Sequence, residues 1–243
     1  MLTKDEVEKI IAELKNSPNC YVSEAHIQLQ FAIIGAKLSE GKYEFVPEYP
    51  GYTMYGDEEA KKTEFDLLVH DLKKNENTLI EFKYKTKNLA TKQNRVKFPV
   101  YLGGELPLAN DGAQNLNRYD CWRDIYRIEQ NVKNSKNSAS PQQVKIENGF
   151  FIFITNDDLY IKDEGEPSFC DGNEIGMFSL KGGDHEHQLK TVNKSVSVSS
   201  AGKFRKSHSI DIKNDYYFKY EEFQTFKVGK YNKFWYLLVE IDK

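Results

Sequence analysis

The sequence predicts an α/β fold with a mixed central sheet flanked by helices. Two helical stretches lead into three strand-like runs, a third helical stretch follows, and an unbroken apolar run, FFIFIT at 150–155, comes after it. A strand apolar on both faces needs cover on both faces, which helices supply. The second and third strand runs form a hairpin that carries Asp66, Glu81 and Lys83 among hydrophobic neighbours.

Taken in order, Val7, Ile10, Ile11 and Leu14 recur at helical spacing over residues 3–16, and Ser17-Pro18-Asn19 stops that helix. Ser23 is a good N-cap for a second helix to Leu38, with Ile27, Phe31, Ile34 and Leu38 as its buried stripe. Tyr43–Glu48 alternates as a strand, and 50–62 reads as a loop. Glu64–His70 and Thr78–Tyr84 are the hairpin strands. Residues 85–110 lack periodicity. Asn110 or Asp111 then caps a helix to about Val132, with Leu116, Tyr119, Trp122, Ile125 and Tyr126 on its apolar face. A polar connection fills 133–148, short strands are expected between Leu159 and Phe218, and Phe234–Ile241 is a closing strand. Segment 184–208, rich in Ser, Lys and His, reads as a mobile hairpin or loop, its Asp184-His185-Glu186-His187 run included.

At 243 residues the chain suits one domain, with a core over about 20–155 and a C-terminal elaboration over 156–243. No apolar run reaches the roughly 20 residues that cross a bilayer. Three widely spaced cysteines, Cys20, Cys121 and Cys170, suggest neither a disulfide framework nor a zinc site, so a cytoplasmic protein with no membrane association is expected. The net charge of −3 is modestly against tight duplex clamping. No dinucleotide fingerprint, phosphate-cradling glycine loop or Ser-His-Asp pattern stands out.

In a strand, alternate side chains share a face, so Glu81 and Lys83 point the same way, about 6.5 Å apart, with Ile80, Phe82 and Tyr84 opposite. If the hairpin registers as its turn suggests, Asp66 and Glu81 share one cation. Two close carboxylates repel when ionised, and a divalent metal removes that penalty. Mg²⁺, or Mn²⁺ in its place, suits an oxygen site that keeps waters for hydrolysis. Lys83 then orients the attacking water, helps deprotonate it, or stabilises transition-state charge. The bland alternative is a cross-strand salt bridge on a solvated face.

Asp66, Glu81 and Lys83 resemble the signature of the PD-(D/E)XK phosphodiesterase superfamily, with Phe65 where its proline stands. The resemblance implies a restriction endonuclease-like αβββαβ core and metal-dependent nuclease chemistry, DNA being the expected substrate, in a restriction or defence setting. It implies catalytic roles for Asp66, Glu81 and Lys83, and for Glu24 in the first turn of the second helix, where many members carry a further glutamate. Asp66, Glu81, Glu24 and the strand-end Glu48 are the expected metal ligands.

From Phe82 to Gly104 the chain has six basic residues and no acid; Lys85, Lys87, Lys92 and Arg95 are expected along a phosphate backbone. Gln114 and Arg118 share a helical face and are candidate phosphate contacts. Gln114 and Tyr119 lie one residue further apart than the Gln-x-x-x-Tyr of RecB-like nucleases. Arg123, Asp124 and Arg127 read as surface ion pairs along that helix. The alternative function is a non-catalytic module binding nucleic acid or protein; a homodimer and a partner subunit both remain open.

Overall fold

The computed structural model describes residues 1–18, 20–53, 61–87, 108, 111, 114–134, 144–162, 180–185, 196–198, 203–205, 210–226 and 231–242. Helix α1 (Lys4–Lys15) begins at a capping box between Thr3 and Glu6 and buries Val7, Ile10, Ile11 and Leu14. Helix α2 (Glu24–Leu38) starts at Ser23, whose hydroxyl accepts the His26 N–H at 3.1 Å. Its buried line is Ile27, Gln28, Phe31 and Gly35, not the expected stripe ending in Leu38, which is exposed at the helix terminus. Gly35 lets α2 lie close on the sheet, since a Cβ there would sit 2.4 Å from the Phe45 ring.

Strands β1 (Tyr43–Thr53), β2 (Lys61–Asp71) and β3 (Glu76–Lys85) run antiparallel in sequence, and α3 (Gln114–Asn134) crosses over to β4 (Ile146–Thr155), which pairs parallel to β3. A parallel neighbour requires such a crossover. A short helix, α4 (Asp158–Lys162), precedes β5 (Gly183–His185), β6 (Val196–Val198), β7 (Lys203–Arg205), β8 (Tyr216–Phe218), β9 (Tyr220–Thr225) and β10 (Lys233–Ile241). The main sheet is mixed and six-stranded, in the order β1-β2-β3-β4-β10-β9. Within segment 184–208, β6 and β7 form an antiparallel hairpin, and β5 pairs with β8.

Two hydrophobic layers sandwich the sheet. On one face α1 and α2 pack over Leu67, Val69, Ile80, Phe82, Tyr84, Phe150, Ile152 and Ile154. On the other, α3 packs over Leu68, Leu79, Phe151, Phe153, Leu237 and Val239. The unbroken apolarity of β4 is thus the alternation of a strand covered twice. Gly149 permits the close approach of α3, because a Cβ there would lie 2.2 Å from Ile128 Cγ2.

The expected loop 50–62 gives way to strand at both ends, with β1 running through Pro47, Pro50 and Gly51. An edge strand tolerates proline because one row of its N–H groups needs no ladder partner. Asp111 brackets Thr86, its Oδ2 accepting the Thr86 N–H at 2.9 Å and its own N–H donating to Thr86 O at 2.8 Å, and Asn110, the other expected cap of α3, lies outside the described residues. Among the described residues, no helix is long and apolar enough to cross a membrane.

Candidate active site

The β2–β3 ladder pairs Asp71 with Glu76 through to Leu67 with Ile80, and stops there. Beyond it β3 runs on beside β4 while β2 parts from it, which leaves backbone groups that must find other partners. Side chains supply them. Asp66 Oδ2 accepts the Phe82 N–H at 2.6 Å, Glu24 Oε2 accepts the Tyr84 N–H at 2.8 Å, and the Gln28 amide donates to the Asp66 carbonyl. Glu24 and Gln28, one helical turn apart on α2, both reach this opening.

The opening joins the two faces of the sheet. Lys83, on the α3 side by alternation, lies 2.8 Å from Asp124 Oδ2 of α3 and 3.6 Å from Glu24 Oε1 of α2, and donates to its neighbour Phe82 O at 3.1 Å. Glu81 Oε1 lies 3.1 Å from Arg127 Nη2, and its Oε2 accepts the Asp66 N–H at 3.4 Å. Arg127 further donates to Asp124 Oδ1 at 3.1 Å and to the Glu64 carbonyl, and stacks over the Phe65 ring.

Four carboxylates (Glu24, Asp66, Glu81, Asp124) therefore surround two cations (Lys83, Arg127), while Arg123 is shared between Asp120 and Asp124. Burial raises the pKa of Glu24, and repulsion from Asp66 adds to it against the pull of Lys83. Burial likewise raises Asp66, with Asp124 adding to it, and raises Glu81 well above the ordinary range, with Asp124 and Asp66 adding to it. Asp124 differs: burial opposes its charge, but Lys83, Arg127 and Arg123 outweigh that and hold it low. Lys83 is held above its ordinary value because Asp124, Glu24 and Glu81 outweigh its desolvation.

Burial and mutual repulsion disfavour the ionised forms of Glu24, Asp66 and Glu81, and a divalent cation among them would relieve that penalty. Asp66 and Glu24 each spend one oxygen on a β3 amide, and carboxylate oxygens are the donors that Mg²⁺ and Mn²⁺ prefer. The donor set therefore fits such an ion. It is not a finished cage: among the described residues no group of three His, Cys, Asp or Glu side chains is arranged to hold a metal. Glu81 Oε1 is engaged by Arg127 at 3.1 Å, on the α3 side.

Of the residues expected from the sequence, Asp66, Glu81, Lys83 and Glu24 come together. Glu48 falls in register beside Asp66 but breaks the ladder there, with φ 52°, and is exposed; among the described residues it has no hydrogen bond or ion pair. Lys85 is half-buried next along the Lys83 face. Lys87 is not a free phosphate contact: its ammonium lies 3.3 Å from Asp157, and Asn156 brackets its backbone. Gln114 donates to Asp157 at 3.2 Å. Arg118 is buried and donates to Leu159 O at 2.6 Å, so it anchors α4 rather than facing a phosphate. Tyr119 is buried. Lys92 and Arg95 lie outside the described residues.

Asp124 and Arg127 correct the surface reading of α3, since both are buried at the centre of the site. Their signal was present in the sequence: three and six residues along from Cys121, an acid and a base fall beside the face that carries Trp122, Ile125 and Ile128. Gln28 was likewise legible as the residue one turn beyond Glu24. A scan against protein-family models finds no match to this chain, and searches of curated proteins and of solved structures find none either.

Proposed function

We propose that this chain is a Mg²⁺- or Mn²⁺-dependent nuclease with a restriction endonuclease-like core, hydrolysing phosphodiester bonds in DNA. The observation that carries the reading is the meeting of Glu24, Asp66, Glu81 and Lys83 where β2 and β3 part. Asp66, Glu24 and Glu81 would hold the ion. When bound, it would supply neutralisation of the phosphate and activation of a water.

The protein's own residues do the rest. Asp66 and Glu24 are fixed by β3 amides and so present their second oxygens without rearrangement of the strand. Lys83 places a positive charge beside the scissile group, where negative charge develops. The water oxygen forms the new bond to phosphorus, the bond to the leaving oxygen breaks, and a proton passes from the water to the leaving oxygen by way of solvent. Lys85, half-exposed beside the site, offers the adjoining phosphate a cation.

A second reading draws on the Glu81–Arg127 pair: a module on the same fold that binds nucleic acid or a protein and does not cut. The discriminating experiment is Mg²⁺- or Mn²⁺-dependent cleavage of mixed-sequence DNA, with RNA in parallel, by the wild type and by Asp66→Asn. Cleavage lost in the Asn variant supports the nuclease. Metal binding with no cleavage of either polymer supports the module.

A further inference from the structure

Helices α1 and α2 pack against each other on one face of the sheet, and each has six exposed residues. In α1 these are Lys4, Asp5, Glu8, Lys9, Ala12 and Glu13, the charged outer face of a helix that meets water. In α2 they are Ala25, Leu29, Ile33, Ala36, Lys37 and Leu38, and from Ala25 to Ala36 no Asp, Glu, Lys or Arg occurs. Leu29 and Ile33, one turn apart, are 57% and 52% exposed, although the opposite side of the same helix already buries Ile27, Phe31 and Gly35. A helix apolar on both sides is one that is covered on both sides. In a chain that is 29% charged, the outer face of α2 is built for contact and not for water.

The pattern on that face identifies what covers it. Ala25, Leu29, Ile33 and Ala36 follow at steps of four, four and three, so the face reads small, large, large, small from either end. Such an order is its own complement when a second copy lies across it antiparallel, which is the requirement of a two-fold interface. With the axis at the level of residue 31, Leu29 meets the partner's Ile33, and Ala25 gives room to the stem of the partner's Lys37. The ends agree as well. Exposed Glu40, just beyond the C-terminus of α2, comes near the N-terminus of the other α2, where the helix dipole favours an anion. The charge-free centre lets two chains of net charge −3 approach there.

We propose that α2 is a self-association surface: two copies of this chain pair through its outer face, antiparallel about a two-fold axis, with Leu29 and Ile33 at the centre. The proposal does not rest on the nuclease reading. Glu24 and Gln28 turn inward to Tyr84 and Asp66 and stand outside the contact. A helix of 15 residues offers a strip of about 22 by 10 Å, well below the roughly 800 Å² per partner of a standard interface. The pairing is therefore reversible, with a Kd of about 1–100 µM.

Sedimentation equilibrium of the full chain from about 1 to 500 µM tests this. The wild type should pass from monomer to dimer across that range. Leu29→Glu and Ile33→Glu each set a charge at the centre of the contact and should raise the Kd at least about 10-fold, with helical circular dichroism unchanged because both positions are exposed within one chain. Ala36→Glu, at the margin of the face, gives the same reading if a central variant loses helix. Oxidation of a mixture of Leu29→Cys and isotope-labelled Ile33→Cys reads the geometry: an antiparallel pair joins unlike variants faster than like ones. A wild type that stays monomeric to the top of the range overturns the proposal and leaves the face to a different partner. A dimer unchanged in the folded Glu variants overturns it by placing the contact elsewhere, and preferential joining of like variants overturns the antiparallel arrangement. A chain that dimerises through α2 but cuts no DNA sinks the nuclease reading and leaves this one standing.

Discussion

Asp66→Asn separates the charge of the site from its architecture. Asparagine keeps an oxygen for the Phe82 N–H, so the strand opening is retained, while one of four crowded carboxylates is neutralised. A carboxyl whose pKa is raised by folding keeps its proton longer in the native state, so stability falls as pH rises from the ordinary carboxylate range through the raised value. Asp66 is such a group, as are Glu24 and Glu81. Without metal, Asp66→Asn should therefore melt higher than the wild type near neutral pH, and the gap should close toward pH 4. With Mg²⁺ at about 100 times its Kd, the wild type gains about 2.7 kcal/mol. A chain of 243 residues unfolds with an entropy of roughly 0.5 kcal/mol/K, so its Tm should rise by about 5 °C. The variant should lose most of that rise. Differential scanning fluorimetry across pH, with and without Mg²⁺, reads all three quantities. An equal Mg²⁺ shift in both proteins would place the ion elsewhere and refute the reasoning.

Lys83→Ala strips the closest partner from fully buried Asp124 and should cost about 3 kcal/mol, so loss of cleavage in that variant must be read beside its denaturation midpoint; a midpoint equal to wild type would mean that the pair contributes little. Gly149→Ala pushes a methyl into Ile128 and should destabilise by about 1–3 kcal/mol in urea unfolding, without changing metal response. Glu129→Gln weakens the acceptor of the Lys213 N–H, the Asn214 N–H and the Tyr216 hydroxyl, so hydrogen exchange at residues 213 and 214 should accelerate while β3 and β4 amides stay protected. Lys85→Ala should flatten the slope of log affinity against log salt for DNA by about one unit in Ca²⁺, where an unchanged slope would remove Lys85 from the phosphate path.

Periodicity made α1, α2, β3, β4 and β10 readable, because each buries a regular face against a single layer or is covered on both sides. It failed where side chains replace the backbone ladder. The end of the β2–β3 pairing has no sequence signature of its own; it shows only as acids and an amide, Asp66, Glu24 and Gln28, that take up the abandoned backbone groups. Asp66, Glu81, Lys83 and Glu24 were legible as charges in or beside apolar runs. The helical face of Asp124 and Arg127 was legible but their burial was not, since charges three apart on a helix look alike in water and in a core until the opposite wall is known. Pro47 and Pro50 hid the length of β1, because proline ends central strands but is harmless at an edge.

Asp66 and Glu24 are at once the proposed ligands and the last two rungs of β3. That double duty limits how such a site can be lost. Truncation to alanine at either position would leave the Phe82 or Tyr84 amide unpaired, at a cost of about 1–3 kcal/mol, so it removes fold along with chemistry. Amidation to asparagine or glutamine silences the charge and keeps the rung. Under the proposed nuclease reading, descendants of this chain that no longer cut are thus expected to carry Asn at 66 and Gln at 24, isosteres that keep the rungs.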